Sequence, residues 1–163
     1  MKQFITLCAL ALVATSGASQ KPSPAATAEG TIGAAKVTIS YSQPSAKGRK
    51  IMGGLVPYGQ VWRTGANETT TIEFSSPVKI EGKDLAKGKY ALFTLPGENE
   101  WAIIINSGIH FGAFSYKDSE DVLRVTARPS KTDKFVETFV ISVDKDQVTL
   151  KWENTMVAFK VKG

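Results

Sequence analysis

"KVTISYS", residues 36–42, decides how this chain is to be read. Along an extended backbone Val37, Ile39 and Tyr41 fall on one side, and Lys36, Thr38, Ser40 and Ser42 on the other. That period of two marks a strand with one buried face. "TTIEFS" (70–75) repeats it, setting Ile72 and Phe74 against Thr71 and Glu73. "VKI" (78–80) and "KYALFTL" (89–95) follow, separated by the turn-rich "EGKDLAKG" (81–88). "EWAIIIN" (100–106) is almost wholly apolar, as a central strand covered on both faces would be. Further on come "VLRVTARP", "FVETFVISV", "QVTLKWE" and "MVAFKV", with "DKD" and "EN" reading as turns between the last three.

No segment carries a helical repeat flanked by caps. About nine short strands at hairpin-like spacing therefore predict an all-β fold, a two-layer antiparallel β-sandwich or jelly roll. With no helix to cover the apolar face of one sheet, a second sheet must do it. Ile103, Ile105, Phe139 and Ile141 are expected to face inward.

The first residues speak to compartment. Lys2, the apolar run of residues 4–13 and the small residues at 16–19 form the pattern of a secretory signal peptide over residues 1–20. The expected location is periplasmic or extracellular. Cys8 lies inside the apolar run, which argues against lipidation, and it is the single cysteine of the chain. An exported, processed chain then has no disulfide and no thiolate, and rests on a packed core. Removing about 20 of the 163 residues leaves a length typical of one domain. Residues 21–30, "KPSPAATAEG", hold two prolines and no large apolar residue and read as a flexible leader, placing the domain at 31–163.

The net charge of +5 becomes +4 without Lys2. The lysines are interspersed with acids, as in Lys83-Asp84 and Asp144-Lys145-Asp146, rather than gathered in the stripe a nucleic acid requires. No nucleic-acid partner, membrane anchor or cofactor is expected. No zinc-binding spacing, nucleophile elbow, phosphate loop or dinucleotide fingerprint is present.

Two segments, 44–67 and 107–121, interrupt the strands, and long ordered loops of this kind often carry function. The first contains "VPYGQVWRTGANE" (56–68). Arg49 and Arg63 offer planar donor forks, Tyr58 and Trp62 flat faces with polar tips, and Asn67 and Glu68 an amide and a carboxylate. Aromatic faces beside polar groups suit a sugar, and the arginines suit an anionic small molecule. The same residues can instead brace the loop, with Arg63 against Trp62, Tyr58 or Glu68. An exposed Trp62 favours ligand contact, and a buried, internally paired one favours bracing. Asn67-Glu68-Thr69 also matches the N-glycosylation pattern. The second segment holds the single histidine, His110, with Phe111, Phe114 and Tyr116 close by. Residues 56–68 and 107–121 are expected to meet at one end of the sandwich, joining Tyr58, Trp62, Arg63, Asn67, Glu68 and Tyr116 in one concave surface.

The stretch from "YSQPSAKGRKIMGGLVPYGQVWRTGANE" to "EWAIIIN", with "DVLRV" and the closing "LKWENTMVAFKV", resembles the domain of unknown function family 2911. These are secreted proteins found widely in Bacteroidetes and related bacteria. The similarity runs over essentially the whole chain after the leader. In the second long segment the resemblance implies a tryptophan or similar residue before a glycine. Here "HFGAF" stands instead, so either His110 or Phe111 fills that place. The resemblance implies an exported bacterial domain and carries over no catalytic residue. Three functions stay open: a binding or accessory module for a small molecule or glycan; a hydrolase or isomerase acting on a sugar-like substrate through Glu68 with His110 or an aspartate; and a structural or protein-binding module.

Overall fold

The computed structural model describes residues 22–110 and 116–163. Ten strands make up most of it: β1 (Ala25–Ile32), β2 (Ala35–Ser42), β3 (Thr71–Phe74), β4 (Val78–Ile80), β5 (Lys83–Leu85), β6 (Gly88–Leu95), β7 (Trp101–Asn106), β8 (Asp121–Ala127), β9 (Ser130–Val143) and β10 (Gln147–Lys162). A single 3-10 turn, Asp118–Glu120, leads into β8, and no α-helix occurs among the described residues. All pairings between these strands are antiparallel. One sheet has the order β1-β2-β3-β6-β7-β8 and the other β5-β4-β10-β9. The chain crosses between sheets after β3, β5 and β8, and the two layers form a β-sandwich.

The alternation read in "KVTISYS" sets which face looks inward. Val37, Ile39 and Tyr41 of β2 are buried between the sheets, with Ile72 and Phe74 of β3 beside them. Ile103 and Ile105 of β7 and Phe139 and Ile141 of β9 join the same core, as expected. β7 is central, and its other face is covered too. Ile104 packs with Ala91 and Phe93 of β6 in a small second cluster on the outside of the six-stranded sheet. That outer cluster is why "WAIIIN" lacks alternation.

Three boundaries differ from the sequence reading. Residues 25–30 form β1 rather than a flexible leader, and β1 pairs with β2 along its whole length, from Ala25↔Ser42 to Ile32↔Ala35. Its small residues have a packing reason: a Cβ on Gly30 would lie 2.6 Å from Val143 Cγ1 of β9. "EN" is no turn but a bulge inside the continuous β10, with Glu153 at φ 56°. "EGKDLAKG" contains the short strand β5. The expected signal peptide lies outside the described residues.

Candidate functional site

After β2 the chain runs beside β9, with Phe139 N–H donating to Pro44 O and Ala46 N–H to Glu137 O. Arg49 folds back on this turn, its guanidinium donating to Ala46 O (3.0 Å) and Ser45 O (2.7 Å). The β10 bulge then holds the loop from below, because the Glu153 carboxylate accepts from Ile51 and Met52 N–H at 3.5 and 3.4 Å. Gly53 sits at φ 77° directly under Tyr58, whose ring would be 2.8 Å from any added Cβ.

Trp62 exchanges two backbone hydrogen bonds with Thr94 (2.7 and 3.0 Å), which extends the sheet beyond β3 and turns the indole inward. It stacks on Trp152 with centroids 5.9 Å apart and meets Phe139 and Trp101 edge-on. All three tryptophans of the chain share this cluster. The Trp62 Nε1–H donates to Gly65 O at 3.1 Å, and Arg63 Nη1 donates to Asn67 O at 2.5 Å. Thr64, buried and at φ 57°, accepts from the Thr70 hydroxyl and pairs its own with Thr94. Asn67, at φ 58°, donates to Ser23 O. This half of the quoted stretch is a brace: its aromatic faces and donor fork are spent on its own loop and on the core.

The second segment is closed by its base. Ser107 N–H donates to Glu120 O, and Asn106 accepts from Gly108 N–H while donating to Lys117 O and Asp121 Oδ1. His110 Nε2 lies 2.8 Å from Glu120 Oε2. The pair lies over Gly108, where a Cβ would clash with both partners, 2.7 Å from Nε2 and closer still to the carboxylate. Tyr116 leaves this neighbourhood. It packs edge-on against Phe93, donates its hydroxyl to Asp121 Oδ2 (2.9 Å) and accepts from Arg124 (2.9 Å). Burial first, then the hydrogen bond to Asp121 and its negative charge, push the Tyr116 phenol above the ordinary tyrosine value. Phe111 and Phe114 lie outside the described residues.

Just past the first segment, the Thr69 hydroxyl donates to His110 O at 2.9 Å, and Glu68 and His110 border one hollow. The two segments do not form the single surface expected of them. Trp62, Arg63 and Asn67 border a hollow of about 240 Å³, Tyr58 borders another beside Trp101 and Lys131, and Arg49 serves its own turn. The physical reason is direction. Trp62 points between the sheets because of its pairing with Thr94, and the chain then reverses through Thr64 and Gly65, so that Glu68 emerges on the outer face.

There Glu68 and His110 rim a trough of about 550 Å³ on the outside of the six-stranded sheet. Its floor is hydroxylated. Thr27, Ser40 and Thr71 stand side by side on one rung across β1, β2 and β3, and Ser42 is the next outward residue of β2. Ile109 forms an apolar shoulder, and Lys89 lies at the far end, opposite Glu73 on the neighbouring rung.

Residues 23–161 match the family described as "Protein of unknown function (DUF2911)". The chain belongs to this family. The match begins two residues before β1, so the segment read as a leader is part of the family's domain. No curated protein and no solved structure matches the chain.

Of the eight candidate residues, only Glu68 and His110 thus share the trough. Thr27, Ser40, Ser42, Thr71, Lys89 and Glu120 were missed. Five of these had a signal: Ser40, Ser42 and Thr71 are the outward positions of the alternating segments, Lys89 opens "KYALFTL", and Glu120 falls in the second long segment. Thr27 had none, because its strand was not recognised. Among the described residues no group of three or more His, Cys, Asp or Glu is placed to hold a metal ion.

Proposed function

We propose that this is an exported binding module that takes a small polar ligand in the trough. The observation that carries the reading is the rung of hydroxyls, Thr27, Ser40 and Thr71, beneath a rim of Glu68, His110 and Lys89. Hydroxyls both donate and accept, so such a floor can satisfy a ligand rich in polar groups, while the rim charges select among ligands. Export follows from the amino-terminal pattern, and the intact mass of the exported protein should correspond to a chain without residues 1–20. A mass that retains Met1 would remove that part of the proposal.

A thermal-shift screen with glycans and polar metabolites tests the binding reading. A ligand at 100 times its Kd adds about 2.7 kcal/mol, raising the midpoint on the order of 10 °C. Ser40→Val and Thr71→Val should each abolish the shift while leaving the unliganded midpoint within a few degrees. A ligand whose shift survives both substitutions but is lost in Arg63→Ala would move the site to the braced loop and refute the reading.

Catalysis is the second reading, and its specific support is the His110–Glu120 pair beside Glu68. A carboxylate that holds an imidazole fixes its orientation, as a general base requires. His110→Gln would then lower turnover far more than it weakens binding in the trough. If the wild type binds a screened glycan and never alters it, the catalytic reading fails.

A further inference from the structure

Two open sheets leave four edge strands, and an edge is a row of unpaired N–H and C=O groups that can template another strand. Here the edges are β1, β8, β5 and β9. Three of them are closed off. β5 is only three residues long. β9 is paired at its middle by residues 44–46, and its first turns of chain carry Lys131, Asp133 and Lys134. β8 has a register shift at its start, opposite Ile105 and Asn106, and the Lys83 ammonium donates to Arg124 O at 2.9 Å. β1 has none of these devices. It runs eight residues in unbroken register with no lysine, proline or bulge. We propose that β1 is a self-association edge, through which two copies of this chain join antiparallel across a two-fold axis.

The alternation of the ladder says which groups are open. Gln43 N–H donates to Pro24 O, so the residues of β1 that exchange bonds with β2 are Ala26, Ala28, Gly30 and Ile32. The backbone groups of Ala25, Thr27, Glu29 and Thr31 point the other way, and no group among the described residues bonds them. The side chains then select the occupant. Apart from Glu29 and Ile32 the strand holds only alanine, threonine and glycine, which form no pockets for reading a foreign peptide. Its one charge, Glu29, already faces Lys36 at 3.6 Å and calls for no basic partner. A second β1 fits. Set antiparallel about Ala28, it places Thr27 opposite the Glu29 of the other copy and Ala25 opposite its Thr31, so that all four open residues of each strand pair. Each Glu29 carboxylate then lies beside a threonine hydroxyl that can donate to it, and no like charges stand directly opposite. Because both copies use the same edge, the contact closes as a dimer rather than growing into a fibre. Thr27 also belongs to the trough floor, so the pairing sets two troughs side by side on one continuous sheet.

Analytical ultracentrifugation of the exported protein over a concentration series tests this. The wild type should reach the mass of two chains. Glu29→Pro removes an N–H that bonds nothing within one chain, and proline is tolerated on edge strands, so this variant should sediment as one chain with a thermal midpoint close to wild type. Thr126→Pro removes the corresponding free N–H on the β8 edge and should leave the dimer intact. Should Glu29→Pro fail to fold, amide hydrogen exchange of the wild type decides: the Ala25, Thr27, Glu29 and Thr31 amides should slow as the dimer fills. The proposal is overturned if the wild type stays a single chain throughout the series, if the four β1 amides exchange as fast in a dimer as in the monomer, or if folded Glu29→Pro retains the dimer.

Discussion

Trp62 shows how far a residue's type can be separated from its use. Its indole looks like a stacking platform in the sequence, and in the fold it stacks on Trp152 inside the core. Nothing local decides between those outcomes, since the direction of the ring is set by backbone pairing with Thr94, 32 positions away. Removing so large a side chain from a packed cluster should be costly: Trp62→Ala is expected to lose about 3–5 kcal/mol in urea unfolding. Arg63→Ala should lose under about 1 kcal/mol, because its bond to Asn67 O lies in a solvent-accessible loop and water replaces it. A larger loss for Arg63 than for Trp62 would mean that charge rather than aromatic packing holds the loop. Gly53 of the same loop lies so close beneath Tyr58 that an added Cβ would meet its ring at 2.8 Å.

At the level of strands, hydrophobic alternation located most of the sheet and failed where its assumptions did. β1 carries no large apolar residue before Ile32 because its path across β9 leaves no room at Gly30, so a pattern built on bulky inward residues passes over it. The β10 bulge uses residues that favour turns, yet it moves the inward phase from Leu150 and Trp152 to Val157 and Phe159 and aims Glu153 at the loop above. β7 was legible for the opposite reason, its unbroken apolar run. Ile103→Ala should cost about 2–5 kcal/mol, measured as the shift in urea midpoint, and an unchanged midpoint would contradict a central β7. β8 offers a pH test through Tyr116. The folded state holds that phenol's proton more tightly than the unfolded chain does, so its contribution is complete below the ordinary tyrosine value and fades as pH rises through the higher folded value. Stability should thus fall above about pH 10, and Tyr116→Phe should flatten that fall. An identical alkaline profile in the variant would show that Tyr116 is not coupled to folding.

Over the whole molecule, the two-layer sandwich followed from a simple exclusion: many strands with no helix to cover them. The site did not follow in the same way. It depends on which sheet face each loop reaches, and that is fixed by long-range contacts such as Thr69 with His110 and Trp62 with Thr94. The aromatic loop fastens one end of the sandwich, and its far limb delivers Glu68 to the outer face of the six-stranded sheet. On the proposed function, bracing falls to the Trp62 half of this segment and ligand contact to its Glu68 end. Backbone amide and indole chemical shifts, followed by NMR during titration with the compound that gives the largest thermal shift in the screen, test that division most directly. The account predicts that the bound compound moves Thr27, Ser40, Thr71, Lys89 and His110 and leaves the Trp62 indole and Tyr58 unmoved. Shifts concentrated at Tyr58, Trp62 and Arg63 would contradict it.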